Sequence, residues 1–370
     1  MTNKRIYLSP PHLGNQEMGF IKDAFEKNWI TTSGENVDAF EKGICKVTEA
    51  THCAALNSGT AAIHLALILA GVSKNDEVIC STFTFVASAN PIVYLGAIPL
   101  FVDSESDSWN MSPELLELTI KDRIKKGKKP KAILLVHLYG RPAKLKEILA
   151  IANQYEILLI EDAAESLGST FEGKMTGTFG QMGIYSFNGN KIITTSGGGA
   201  LVSNDEKIIA KARFLSAQAR DIAPYYQHSE IGFNYRMSNI LAGIGLGQLQ
   251  VLEKRIEYKR WIFNYYKDKL EISGKFSFPK EQKGTFCNTW LTTIISNDEA
   301  PESIRLRLEA RNIESRLLWK PLHLQPVFKD APSYVNGTSE YFFNKGLCLP
   351  SGTSMTEREL NEIIDVLSSN

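Results

Sequence analysis

The segment M-G-I-Y-S-F-N-G-N-K-I-I-T-T-S-G-G-G-A-L-V-S, residues 182–203, places a single lysine, Lys191, between apolar runs and just ahead of three consecutive glycines. Residues 183–187 and 200–203 read as strands, so Lys191 lies in the loop that joins them. Its neighbours Ile192 and Ile193 predict partial desolvation of the ammonium. Desolvation favours the neutral, nucleophilic amine that a Schiff-base lysine requires. Taken alone, the window describes a surface lysine in a loop at least as well.

Five more apolar, β-branched runs precede this segment, at residues 52–56, 77–81, 98–102, 132–137 and 157–161, which makes seven expected strands. Helical patterns such as residues 113–125 and 144–154 separate most of them. Near-continuous apolar strands alternating with helices predict an α/β fold, with a mostly parallel sheet covered on both faces. Ligands of such sheets sit beyond the carboxyl ends of the strands.

On the amino-terminal side, the turn-rich S-P-P-H-L-G (residues 9–14) and a short amphipathic helix at 17–27 form an arm with no core of its own, expected to lie on the larger body. A second amphipathic helix is expected at 36–50. On the carboxyl-terminal side, F-N-Y-R-M-S-N-I (residues 233–240) opens a long helical stretch to about residue 270. Gly243, Gly245 and Gly247 interrupt it, each costing about 1 kcal/mol against alanine. Close packing on another helix, in this chain or a partner subunit, offsets that cost. A strand at 289–295 and helices at 301–311 and 357–367 predict a smaller α+β unit. The expected division is residues 1–250 for the arm and large domain, and 251–370 for a connecting helix and the small domain.

The 370 residues carry 41 basic and 41 acidic side chains, so no net field draws a nucleic acid or an anionic membrane. The five cysteines are scattered, with no C-x-x-C pair, and read as reduced, mostly buried thiols of a soluble cytoplasmic protein. No window reaches the roughly 18 apolar residues of a membrane span. The six histidines show no metal-like grouping, and His64 and His137 read as core residues.

Candidate chemistry collects after the strands. Ser58-Gly59-Thr60 follows the first strand and opens a helix, which suits a phosphate cradle as well as an ordinary N-cap. Asp162 emerges where an apolar strand runs out, placed either to hold a protonated ring nitrogen or to cap a helix. Residues 168–174, G-S-T-F-E-G-K, match a P-loop until Met175, which lacks the metal-binding hydroxyl, so nucleotide hydrolysis is not expected. Phe83 and Phe85 are candidates for stacking on an aromatic ligand. The stretch S-R-L-L-W-K-P-L-H-L-Q-P-V-F (315–328) mixes cations with aromatics, as a phosphorylated and partly planar ligand needs.

S-G-T, E-D-A-A-E-S-L-G-S, S-F-N-G-N-K with its glycines, and G-F-N-Y-R-M-S-N occur in the order found in the DegT-type (StrS-like) sugar aminotransferases, which this chain resembles over nearly its whole length. The resemblance implies the aspartate-aminotransferase fold (fold type I), pyridoxal 5′-phosphate, and a homodimer with shared active sites. It implies Lys191 as the Schiff-base lysine, Asp162 as the partner of the pyridine nitrogen and Phe85 as the stacking aromatic. Gly59, Thr60 and Ser186 become phosphate ligands, with Asn234 reaching the phosphate from the other subunit. Glu165 falls at the cofactor with its role open. The opening I-Y-L-S-P-P-H and the late W-K-P-L-H-L-Q-P-V-F are most like the branch that aminates C4 of UDP-linked 4-keto-6-deoxy-N-acetylhexosamines, with L-glutamate as donor, for cell-surface glycans. His12, Arg316, Lys320 and His323 are the substrate candidates. The rival expectations are C3 amination of a dTDP-linked keto sugar and a non-catalytic cofactor-binding regulator.

Overall fold

The computed structural model describes residues 4–369. All seven expected strands form: β1 (His52–Leu56), β2 (Glu77–Ser81), β3 (Ile98–Val102), β4 (Ala132–Val136), β5 (Leu158–Asp162), β6 (Met182–Ser186) and β7 (Gly199–Ser203). An unforeseen two-residue strand, β8 (Ser333–Tyr334), pairs parallel with β3, and the sheet order is β1-β7-β6-β5-β4-β2-β3-β8. Only β7 runs against its neighbours, placing Gly199 opposite both Leu56 and Ser186. The carboxyl ends of β1, β2, β4, β5 and β6 therefore share one edge with the start of β7.

The central strands β2 (E-V-I-C-S) and β4 (A-I-L-L-V) are buried throughout, as strands covered on both faces must be. One covering helix, α3 (Gly59–Leu69), is apolar almost all round and packs on β6 and β7. Its amino end is thereby fixed at the ligand edge of the sheet.

The long helix expected after Gly232 is two helices. Residues 233–238 are not helical, and Ser238 Oγ caps the first helix, Asn239–Leu249, by accepting from the Leu241 amide at 3.2 Å. The chain breaks at Gln250 and Val251 before the second helix, Leu252–Leu270. The glycines of the first pack within this chain. A Cβ on Gly245 would lie 2.5 Å from the Phe40 ring of α2 (Glu35–Thr48), and one on Gly247 2.7 Å from the Glu17 nitrogen of α1 (Glu17–Glu26).

A second, four-stranded antiparallel sheet joins Phe276–Ser277, Thr292–Ser296, Gly346–Leu349 and Arg316–Leu317, with helices Pro301–Glu309 and Glu357–Ser368 beside it. The residues just ahead of the amino-terminal arm lie against this part, where Ile6 bridges Ile313 and the Ser351 amide donates to the Leu8 carbonyl at 2.7 Å, while the arm's helix α1 packs on Asn239–Leu249 of the larger body, as expected. The P-loop-like residues form an antiparallel hairpin, Thr170–Phe171 with Lys174–Met175, turning at Glu172 and Gly173 with positive φ. No helix follows that turn, so it cannot cradle a nucleotide as a P-loop does. All five cysteines are free. Among the described residues no helix is long and apolar enough to cross a membrane, and no cluster of His, Cys, Asp and Glu is fit to hold a metal.

Candidate active site

A cavity of about 430 Å³ opens at the carboxyl edge of the large sheet. Its lining includes Ser58, Gly59, Thr60, Phe85, Asp162, Glu165, Ser186, Lys191, Trp290, Arg316 and Trp319. Three of these are set by strand ends. Ser58 follows β1, Asp162 is the last residue of β5, and Ser186 is the last of β6.

At one wall, Ser58 Oγ accepts from the Ala61 amide at 3.0 Å and its carbonyl from Ala62 at 3.1 Å. The amides of Gly59 and Thr60 are left as first-turn donors of α3, where the helix dipole favours an anion. Ser186 stands against this turn, since a Cβ on Gly59 would lie 3.1 Å from Ser186 Cβ. Glycine is what lets the helix end and the Ser186 hydroxyl face the same space.

Asp162 is buried, and its carboxylate is oriented by the Ser88 hydroxyl at 2.7 Å and the Ala164 amide at 3.2 Å. Its neighbour Glu161 points to the other face of the sheet, as strand alternation requires. There it accepts from His137 Nε2 at 2.8 Å and from the amides of Gly177, Phe179 and Gly180. His137 Nδ1 accepts from the Ala143 amide at 3.1 Å, so His137 is the satisfied core histidine expected of it.

Lys191 enters the cavity while Ile192 and Ile193 are buried beneath the loop. Its Nζ lies 3.6 Å from Glu165 Oε1 and 4.1 Å from the centre of the Trp290 ring. The desolvation expected from its apolar neighbours is thus countered by an ion pair and a cation–π contact. Glu165 is buried, and its Oε2 accepts from the Tyr139 amide at 2.6 Å. Burial pushes the Glu165 carboxyl above its ordinary range, against the opposing pull of Lys191 and the Tyr139 amide.

The mouth is built differently. Phe85 is half-exposed, with its ring 5.1 Å from that of Trp319. Arg316 is exposed and donates to Glu314 at 2.7 Å. The other three substrate candidates lie outside the cavity lining. His12 Nδ1 accepts from Arg255 at 2.7 Å, and burial lowers its pKa. Lys320 is exposed, and His323 is held between Thr82 at 2.7 Å and Glu340 at 3.3 Å. Asn234 is exposed and also lies outside the cavity of its own chain.

Sequence reasoning missed Trp290 and Ser88. Trp290, within C-N-T-W-L-T-T, reads as a core residue of a strand, and nothing in its spacing marks it. Ser88 does follow a strand's carboxyl end by a few residues, which was a usable signal. The donor set suits pyridoxal phosphate: helix-end amides and a hydroxyl for the phosphate, a carboxylate for the ring nitrogen, an amine for the aldehyde, and room for a planar ring.

The sequence profile of the DegT/DnrJ/EryC1/StrS aminotransferase family matches residues 11–368. The chain is 52% identical over 370 residues to EpsN of Bacillus subtilis (strain 168), assigned as a pyridoxal phosphate-dependent aminotransferase, covering 99% of this chain and 95% of EpsN. It is 35% identical to the GDP-perosamine synthase of Escherichia coli O157:H7, covering 99% of this chain and 98% of that one. Among solved structures, a DegT DnrJ EryC1 StrS aminotransferase from Brucella abortus superposes with a TM-score of 0.90 at 31% identity, covering 95% and 94% of the two chains.

Proposed function

The chain belongs to the DegT/DnrJ/EryC1/StrS aminotransferase family, whose members are pyridoxal phosphate-dependent sugar aminotransferases of fold type I. On that premise we propose that it transfers an amino group from an amino acid, L-glutamate, to C4 of a UDP-linked 4-keto-6-deoxy-N-acetylhexosamine. The observation that carries the amino transfer is the convergence in one cavity of the Lys191 amine, the Asp162 carboxylate and the amino end of α3, while the choice of sugar and nucleotide is supported by the likeness of residues 6–12 and 319–328 to that branch of the family. Pyridoxal phosphate, when bound, supplies the electron sink for the charge left when the donor loses its Cα proton.

The rest falls to side chains of this protein. The Gly59 and Thr60 amides and the Ser186 hydroxyl hold the phosphate. Asp162, locked by Ser88 and Ala164, keeps a positive charge on the ring nitrogen. Lys191 Nζ takes the Cα proton of the donor and later returns a proton, the task of a positioned general base and acid. Between those steps Glu165 and the Trp290 face hold the protonated amine. Arg316, at the rim, meets the diphosphate of the nucleotide sugar.

In the same reading the enzyme is a homodimer in which Asn234 of each chain completes the phosphate site of the other. Its exposure supports that role. The identity to a GDP-perosamine synthase favours a second reading in which the nucleotide is GDP. Incubating the purified enzyme with glutamate and a panel of UDP-, GDP- and dTDP-linked keto sugars, then reading products by mass and NMR, separates the two. Amination of none of the panel would refute both.

A further inference from the structure

Behind the cavity wall lies a lysine that the transfer itself does not use. Lys259, on helix Leu252–Leu270, is only 2% exposed. Its ammonium donates to three neutral oxygens: the Trp290 carbonyl at 2.7 Å, the Ser351 carbonyl at 3.0 Å and the Ser9 hydroxyl at 3.1 Å. Among the described residues no carboxylate pairs with it, and burial pushes its pKa down to about 7. A buried charge without a counter-ion is costly, and an apolar side chain of similar length would avoid that cost. Three convergent acceptors are what a protonated lysine, with three donors and no acceptor, is suited to satisfy.

Two of the three oxygens lead to Lys191. Ser9 Oγ donates to the Asn190 carbonyl at 3.2 Å, and Trp290 Nε1 donates to the same carbonyl at 2.7 Å. That carbonyl belongs to the peptide bond joining Asn190 to Lys191, whose amide donates in turn to the Asn188 carbonyl at 3.0 Å. The Trp290 ring also carries the Lys191 amine on its face. Trp290 therefore fixes Lys191 at both ends, backbone and amine, and Lys259 fixes Trp290. Ser351 joins the same clamp from the second sheet, where its hydroxyl accepts from the Thr292 amide at 2.9 Å.

We propose that Lys259 is a positioning residue for Lys191, clamping Trp290 and the Ser9 arm so that the reactive amine is held in the cavity over the indole. The proposal rests on Lys191 being the reactive amine, as argued above. It assigns the amino-terminal arm a part in catalysis rather than in substrate choice alone.

The test compares wild-type and Lys259→Met holoenzymes by amide hydrogen exchange and by the rate of the amino-donor half-reaction. Exchange in the peptide covering residues 188–195 should rise about tenfold while the strands of the large sheet stay unchanged. The half-reaction should slow about tenfold with the donor KM within about threefold, since a small misplacement of a reacting group costs rate rather than binding. A folded Lys259→Met enzyme with unchanged exchange and rate overturns the proposal. So does exchange that rises uniformly along the chain, the mark of a merely structural contact. If Lys259→Met does not fold, Ser9→Ala decides, because it removes one of the two hydrogen bonds on the Asn190 carbonyl from an arm residue. A smaller gain at 188–195 is expected there, and no gain overturns the proposal. Lys191→Ala is measured alongside: turnover retained there defeats the reading of the site itself, whereas turnover lost there with an unchanged Lys259→Met defeats only the clamp.

Discussion

The floor and the mouth of the cavity are made by different rules. The floor is set by strand ends and one helix terminus: Asp162 closes β5, Ser186 closes β6, and the Gly59–Thr60 turn opens α3. Each is fixed by a buried sheet and has little freedom to move. The mouth is Phe85, Trp319 and Arg316, partly or largely exposed, on loops and a two-residue strand. A rigid floor can preorganise charge for one reaction, while an exposed mouth can change its partner without disturbing the core. Reaction type and substrate choice are thereby kept apart.

That separation breaks first at Lys191. Lys191→Ala should lower kcat by at least about 10³-fold, because both the covalent anchor and the proton carrier go, with cofactor still retained noncovalently by dialysis and absorbance. Asp162→Asn should follow, with a loss of about 10²-fold in kcat and little loss of cofactor, since the ring nitrogen loses its counter-charge and the phosphate contacts remain. At the mouth, Arg316→Ala should raise KM for the nucleotide sugar about tenfold and leave kcat within about twofold. A fall in kcat comparable to that of Asp162→Asn would show that the two regions are not separate.

The smallest effect concerns stability and pH. The folded Glu165 carboxyl titrates above its ordinary value of 4.5 because it is buried. The stability it contributes is therefore fully present below that value and is lost as pH rises through the raised one. Glu165→Gln lacks this dependence, so the wild-type thermal midpoint should fall relative to the variant on raising the pH from 4.5. Parallel midpoints across that range would show that Lys191 fully compensates the buried charge.

The floor was also the legible part of the sequence. The apolar run 157–161 ahead of Asp162, the run 183–187 and a Gly turn after Leu56 are local signals that a parallel sheet converts into one edge, while Ser186 was marked by the family resemblance alone. Gly59, Thr60, Ser186 and Asp162 line the cavity for that reason, whereas Asn234, expected to act across to the other subunit, does not line it. The mouth was poorly legible, because a cation in a loop carries no periodicity to say where it points. Of four substrate candidates only Arg316 reaches the cavity, while His12 and His323 are engaged in internal hydrogen bonds. Trp290 was hidden for a third reason. Its role depends on a long-range meeting of residues 9, 190, 259 and 290 that no window contains. The broken helix at Gln250 and Val251 is a milder case, where packing of Gly245 and Gly247 on α1 and α2 fixes one segment and leaves the next to turn away.

The most direct measurement is reduction of the holoenzyme with borohydride, which fixes pyridoxal to whichever lysine holds it, followed by peptide mass spectrometry. The expected result is a pyridoxyl mass on the peptide containing Lys191 and on no other. A label on Lys259, the buried lysine that donates to the Trp290 carbonyl, with Lys191 unmodified, would contradict the assignment of the reactive amine and the mechanism built on it.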